Sequence, residues 1–431
     1  LIDRWSAYRG KETQVEHNQS VCLGCSVGCG IDAMTRNNAL LHIEGNWSAA
    51  VNGGVVCKTG RFTPLEDNGE RILTPLINKD GKLKAATWQE ALDVVAAQFK
   101  SMAGSKSAAI AAAASTRLSS EALYLFKDLF ADQLKGSIVT SLEEGTYTAA
   151  AAETAREAKK AFEGKLDTLK KADCVVLVGT DLVNNHEVDG FFVKRILASG
   201  TKLIIVDSAG NALENLADYS LKGKEVDTLK ALTAALSAGK FDSSAAGEAA
   251  ALIAAAKQPV VIYGKTDAAL MKAVLDFARA GGILKGDYSG VIGTKGQANS
   301  VAASQYQLDS AFKVDGAKAA YIALGDEVPS QKLIQSLSTV PFLVVQASHT
   351  SQLTAMAEVV LPAGTWMEQE GHYVNSEGRI QKAVKIINPA EEVWSNEAII
   401  KALAEKLGYS SQVDNWKNEL TTAVASVVIS E

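Results

Sequence analysis

The sequence predicts an α/β protein in two unequal parts: a small N-terminal cap over residues 1–75, then a Rossmann-like body of parallel sheets over residues 76–431, with a further Rossmann-like domain inserted at about 150–320. Two observations predict this. Four of the five cysteines fall within the first 57 residues, among short segments bounded by glycine and asparagine that carry no helical period. From residue 87 onward, continuous apolar runs alternate with alanine-rich helical stretches, the pattern of parallel strands covered on both faces. A chain of 431 residues, 47% of them hydrophobic, can bury more than one core, and two or three domains are expected.

In the cap, residues 30–34 and 39–44 read as strands. Ahead of them lies Val21-Cys22-Leu23-Gly24-Cys25-Ser26-Val27-Gly28-Cys29-Gly30, and after them Val56-Cys57-Lys58-Thr59-Gly60-Arg61-Phe62. Three thiolates on one short loop, joined by a fourth from a distant turn, suit a [4Fe-4S] cluster, in which each iron takes one cysteine. Gly24, Gly28 and Gly30 allow the backbone to wrap close enough for amide hydrogens to point at the sulfurs. Cys22, Cys25, Cys29 and Cys57 are therefore the candidate metal ligands. Structural zinc also takes four thiolates, although such sites more often join two similar cysteine pairs than a triplet and a singleton. A disulfide framework suits a much smaller secreted chain, with more cysteines for its length and a signal peptide ahead of them.

The body opens at Thr87-Trp88-Gln89-Glu90, where Thr87 can cap a helix and Glu90 completes the capping box, with Leu92, Val95, Ala96 and Phe99 on one face. Residues 171–181, a helix over 186–199 and residues 202–207 form a β-α-β unit. Runs at 259–264, 319–325, 342–346 and 359–362 continue the strand theme, and helices at 149–162, 228–238 and 244–256 supply covers. Cys174 sits inside an apolar strand and reads as a small buried hydrophobe. Gly179-Thr180-Asp181 ends a strand, where open α/β sheets bind ligands, yet no G-x-G-x-x-G follows, which argues against a nicotinamide site. His42 reads as a surface or core histidine, His372 as a hydrogen-bonding turn residue, and Glu143-Glu144 as a solvated turn.

Net charge is -6 and no basic stripe is present, which argues against a nucleic-acid partner. No apolar run reaches the roughly 18 residues of a membrane-spanning helix.

The cysteine signature, Cys57-Lys58-Thr59-Gly60-Arg61-Phe62 and the late stretch Leu361-Pro362-Ala363-Gly364-Thr365-Trp366-Met367-Glu368-Gln369-Glu370-Gly371-His372-Tyr373-Val374-Asn375-Ser376-Glu377-Gly378-Arg379-Ile380-Gln381 together resemble the molybdopterin oxidoreductase superfamily over nearly the whole chain. Within it the chain looks most like the family of the large iron-sulfur (G) subunit of bacterial NADH-quinone oxidoreductase (respiratory complex I), after loss of its N-terminal ferredoxin-like portion. That resemblance implies a [4Fe-4S] domain followed by intertwined Rossmann-like domains of the molybdopterin oxidoreductase type. It implies electron transfer with no catalytic residue in this chain, and iron-sulfur and flavin subunits as partners. It also implies a cytoplasmic place at the inner face of the cell membrane, held there through those partners.

In catalytic cousins such as formate dehydrogenase, a cysteine, selenocysteine or serine after the first α/β unit ligates molybdenum or tungsten. Residues 111–148 contain no cysteine here, but hold Ser115, Ser119, Ser120, Ser137 and Ser141. Thr180-Asp181-Leu182-Val183-Asn184-Asn185 stands where metal-bearing relatives tend to carry an Asn-Pro pair, so molybdopterin is expected to be absent. Lys58, which in those relatives lies between cluster and pterin, is retained as the one cofactor-binding candidate. Three other readings stay open: a molybdenum or tungsten formate oxidoreductase, an electron-transfer subunit of a soluble NADH-linked hydrogenase or bifurcating complex, and a redox-silent scaffold.

Overall fold

The computed structural model describes residues 12–66, 69–102, 110–136, 138–410 and 412–431. The cap is a three-stranded antiparallel sheet of Glu16–Val21, Gly30–Arg36 and Ala39–Gly45. Asn37 and Asn38 both take positive φ (51° and 60°), as a two-residue hairpin turn requires, and asparagine tolerates that region better than most residues. Val21 pairs with Gly30, so the eight residues between them close the other end of the sheet as a loop. Three of the cysteines lie on that loop, and their positions follow from the strand register.

A seven-stranded sheet runs in the order Lys82–Ala85, Leu76–Lys79, Val359–Pro362, Phe342–Ala347, Ala319–Gly325, Ile110–Ala114, Ile138–Ser141. The last five strands are parallel, and the first two form an antiparallel hairpin at one edge. Trp88–Met102, Ser120–Lys127 and Asn396–Leu407 cover one face, while Gln331–Leu337 and Gln352–Ala355 cover the other. The capping box of the first helix is formed: the Glu90 amide donates to Thr87 Oγ1 at 3.2 Å and the Thr87 amide to Glu90 Oε2 at 2.9 Å. Its buried Trp88, Leu92, Val95 and Phe99 contribute about 2 kcal/mol each by removal from water.

Alanine favours helix in isolation, yet Ile110–Ala114 is an inner strand of this sheet. Its small side chains leave room for Tyr321, registered beside Ala112, to pack among Phe99, Phe126 and Phe130.

A second sheet, wholly parallel, takes its strands from a stretch of chain lying between Ile138–Ser141 and Ala319–Gly325. Its order is Tyr219–Leu221, Lys202–Val206, Cys174–Val178, Pro259–Tyr263, Val291–Gly293. Glu225–Ala238, Ala245–Ala255 and Ala268–Ala280 pack on one face. The other face shares one apolar core with Glu187–Leu197 and with the cap itself, through Leu23, Val27, Leu166, Val188 and Phe192. The carboxyl ends of the two sheets, at Leu324-Gly325 and Ala347-Ser348 on one side and Gly179-Thr180, Gly264-Lys265 and Thr294-Lys295 on the other, open toward the cysteine loop.

Candidate metal centre and the cleft beneath it

All four cap cysteines are free thiols, and Cys22, Cys25 and Cys29 each lie within electrostatic range of Cys57. Cys57 stands at the N-cap of Lys58–Phe62, and its sulfur accepts the Gly60 amide at 3.2 Å. The Gly24 amide reaches Cys22 Sγ at 3.5 Å. A β-carbon on Gly60 would lie 3.0 Å from Cys22 Sγ and 3.6 Å from Cys57 Sγ, so a bare glycine is what lets the two segments present their sulfurs together. Cys29 lies within electrostatic range of Cys25, Cys22 and Cys57. Among the described residues no three His, Cys, Asp or Glu side chains stand close enough to share one ion.

Burial pushes the Cys22 thiol up to about 11, with the Gly24 amide pulling it down and Cys57 adding to the rise. Burial raises Cys25, Cys29 and Cys57 as well, and neighbouring thiols or carboxylates add to the effect. Such thiols ionise only when a metal takes the proton's place, so loading releases protons.

The loop is held by segments far away in sequence. Arg117 donates to the Leu23 carbonyl at 2.9 Å. The Ser26 amide donates to Gly296 O at 3.1 Å, and the Ser26 carbonyl accepts the Ser376 amide at 2.7 Å. Asn375 Nδ2 donates to Val27 O at 3.2 Å, and Gln381 Nε2 to Gly28 O at 2.9 Å. The box around Glu370 to Arg379 therefore ends as a clamp on the cysteine loop. Within it, Asn375 Oδ1 also accepts the Glu377 and Arg379 amides, which shapes the clamp's own turn.

On the side of the second sheet, His186 and Asp189 sit at i and i+3 near the start of Glu187–Leu197, both buried. His186 Nε2 lies 3.1 Å from Ser26 Oγ, and burial lowers its imidazole to about 4. Burial raises the Asp189 carboxyl to about 7, Glu377 adding to the rise and Lys170 opposing it. Asp189 Oδ1 finds no hydrogen-bond partner among the described residues.

Below the loop lie two cavities of about 540 and 440 Å³, which share Gly24, Gln297 and Glu327 as walls. Arg117 lines the larger one and forms a two-pronged ion pair with Asp326, at 2.8 and 3.0 Å. Ser115 Oγ donates to Glu327, whose carboxyl is raised by burial. Glu143 is no solvated-turn residue: it accepts the Gln297 amide at 2.6 Å, and burial raises its carboxyl. Its neighbour Glu144, at positive φ, turns instead to Lys332 and the Phe312 amide. Two adjacent carboxylates thus serve different partners, which a turn reading of the pair misses.

Other candidates take ordinary roles. Lys58 is exposed, its backbone amide bonded to Glu187, and it is not among the residues lining either cavity. His42 pairs with Glu44 on the cap sheet. His372 bonds Glu121 and stacks on Trp416. Cys174 is 1% exposed inside its strand. Asp181 caps Leu182–Asn185 through the Val183 and Asn184 amides. Ser119 caps Ser120–Lys127, Ser120 bonds Asn299, Ser141 is buried in its strand, and Ser137 lies outside the described residues. Arg117, Asp326, His186 and Asp189 carry no motif that marks them in the sequence; only Arg117 lies in the 111–148 region.

Residues 71–406 match the molybdopterin oxidoreductase family, and residues 16–65 match the molybdopterin oxidoreductase Fe4S4 domain. The chain belongs to the molybdopterin oxidoreductase family. Among its relatives, the G subunit of NADH-quinone oxidoreductase from Rickettsia bellii is 27% identical over 97% of this chain and 59% of its own length. The mitochondrial NADH-ubiquinone oxidoreductase 78 kDa subunit of Candida albicans is 27% identical over 96% of this chain and 56% of its own length. The alpha subunit of the F420-dependent formate dehydrogenase of Methanocaldococcus jannaschii is 22% identical over 93% and 72%. The chain thus spans less than two thirds of the length of its NADH-quinone oxidoreductase relatives. Acetylene hydratase from Pelobacter acetylenicus shares the fold at a TM-score of 0.71 and 15% identity, over 94% of this chain and 71% of its own. An Fe4S4 domain joined to a molybdopterin oxidoreductase body is thereby established, and with it an oxidoreductase family. Among the described residues no helix is long and apolar enough to cross a membrane.

Proposed function

We propose that this molybdopterin oxidoreductase family member is an iron-sulfur electron-transfer subunit of an NADH-quinone oxidoreductase (complex I)-type assembly, with one [4Fe-4S] cluster on Cys22, Cys25, Cys29 and Cys57. The observation that carries the reading is that buried or half-buried thiols come from two segments, with Cys22 and Cys57 meeting across Gly60 and Cys25 and Cys29 within electrostatic range. A cuboidal cluster takes one thiolate at each of four irons, whereas zinc draws its four sulfurs to about 2.3 Å from a single ion. When bound, the cluster supplies storage for one electron. The chain's own part is to exclude water, to aim the Gly24 and Gly60 amides at sulfur and to fix the loop from both sheets.

The donor set beneath the loop offers no thiol to ligate a metal-bearing pterin. Residues 111–148 offer no thiol, and the described serines are engaged in capping, in pairing or within a strand. The cleft walls carry carboxylates at Asp326, Glu327 and Glu143, and of their cations Arg117 is already paired with Asp326 and Lys295 with Glu163, which leaves Lys265 for the phosphates of a pterin nucleotide. Substrate chemistry is therefore assigned to partner subunits, iron-sulfur and flavin proteins that hold this chain at the inner face of the membrane. The formate dehydrogenase relative and the size of the cleft favour a second reading, a catalytic subunit acting on formate.

Anaerobically purified protein is expected to be brown with four irons and four sulfides per chain, and Cys57→Ala to lose or convert the cluster. A colourless protein with one zinc per chain overturns the cluster. Near-stoichiometric molybdenum or tungsten with pterin, or formate-dependent dye reduction by the lone chain, selects the second reading.

A further inference from the structure

The loop after the Ile110–Ala114 strand brings one cation against the cysteine loop. Arg117 is largely buried and uses all three sides of its guanidinium: Nε and Nη2 hold the two Asp326 oxygens at 2.8 and 3.0 Å, and Nη1 holds the Leu23 carbonyl at 2.9 Å. Asp326 is itself pinned, because its Oδ2 accepts the Trp366 amide at 3.2 Å. The order in space is thus Asp326, then Arg117, then the backbone beside Cys22. The pair is neutral as a whole, but its positive end faces the loop and its negative end faces away. The guanidinium charge favours the thiolate of Cys22, whereas Asp189 disfavours ionisation of Cys25 and Cys29, and Glu187 that of Cys57.

We propose that the Arg117–Asp326 pair is a positioning device that raises the reduction potential of the cluster. The proposal rests on the cluster assignment above. One electron enters the cluster from an external reductant with no bond made or broken, so the reduced form carries one more negative charge than the oxidised form. A fixed cation in a low-dielectric wall stabilises the reduced form, and the carboxylates on the far side oppose it. Arginine suits the task because it keeps its charge under burial and its fork fixes the direction of the pair.

The test is a dithionite titration followed by the electron paramagnetic resonance of the reduced cluster, on Arg117→Met, Arg117→Lys and Asp326→Asn, with iron and sulfide content measured for each. Arg117→Met removes the cation, so the ratio of reduced to oxidised cluster at a fixed potential should fall about tenfold, a shift of about 59 mV for one electron. Asp326→Asn leaves the cation and removes its counter-charge, so the potential should move up. Arg117→Lys should stay closer to the native protein than Arg117→Met does. A purely structural role moves Arg117→Met and Asp326→Asn the same way, and that result, or an unshifted Arg117→Met with full iron content, overturns the proposal. If Arg117→Met fails to hold iron, the sign for Asp326→Asn decides alone. A native protein without a cluster signal rejects the cluster assignment instead.

Discussion

Lys295 and Glu163 make the most deeply buried ion pair among the described residues, each side chain 1% exposed, and replacing the lysine measures what that pair does. Lys295 Nζ sits 2.6 and 2.7 Å from the two carboxylate oxygens, Tyr263 Oη also donates to Glu163, and Ser426 Oγ adds a bond at 2.7 Å. Lys295→Met keeps most of the stem but leaves an ionised carboxylate among neutral donors. Removing one partner of a buried pair costs about 3–5 kcal/mol. A ceiling follows from chemistry, because the carboxylate can take a proton instead: protonating a free glutamate at pH 7 costs about 3.7 kcal/mol, and about 1.4 kcal/mol less for each pH unit below that. The expected loss is thus about 3–4 kcal/mol at pH 7, shrinking to about 2 kcal/mol at pH 5.5. Urea unfolding followed by circular dichroism at the two pH values reads it. Lys295→Met with Glu163→Gln should recover much of the stability and lose the pH dependence. A loss under about 1 kcal/mol at pH 7, or one that does not change with pH, refutes the argument.

Gly28→Ala probes the cysteine loop, with Gly53→Ala outside it as the control, and Asp189→Asn probes the carboxyl beside it. Gly28 has φ +69°, and a β-carbon there would lie 2.2 Å from Gln381 Oε1 and 2.8 Å from Asn375 Cβ, while at Gly53, φ +52°, nothing lies within 4 Å. Gly53→Ala should therefore cost only the left-handed strain of about 1–2 kcal/mol, whereas Gly28→Ala should cost clearly more and lower iron content; equal losses in thermal unfolding and metal analysis count against the clamp. Asp189→Asn tests the buried carboxyl: its folded value of about 7 stands above the ordinary 3.8, so the native protein is penalised as pH rises from about 4 and fully so above about 7. The substitution should stabilise by up to roughly 4 kcal/mol at pH 8 and much less at pH 5, as read by scanning calorimetry, and a gain that is larger at pH 5 contradicts the sign.

What the sequence discloses is local. The Thr87–Glu90 capping box, the apolar strand runs and the short cap strands between glycine and asparagine turns rest on periods and turn residues that need no distant partner. The four cysteines are legible for the same reason, since thiols at short spacing declare their chemistry. Ile110–Ala114 is a harder case: its residues prefer helix, and only the Tyr321 ring on the adjacent strand explains why a strand of alanines serves there. Glu143 looks solvated until Gln297, from the far end of the second sheet, supplies its partner. Arg117 is equally mute in sequence, because its two partners lie 94 and 209 residues away.

The clamp on the cysteine loop bears on when the protein can be completed during synthesis. The cap's cysteines leave the ribosome first, but four of the groups that hold their loop, on Gly296, Asn375, Ser376 and Gln381, come hundreds of residues later. At about 5–20 residues per second, the thiols wait on the order of half a minute before the last of these arrives. Throughout that interval the loop lacks its final geometry, and its sulfurs are open to oxidation or to the wrong metal. The expected outcome is that the proposed cluster is loaded late, on an almost finished chain, and that protein truncated before Gln381 takes up no iron in metal analysis.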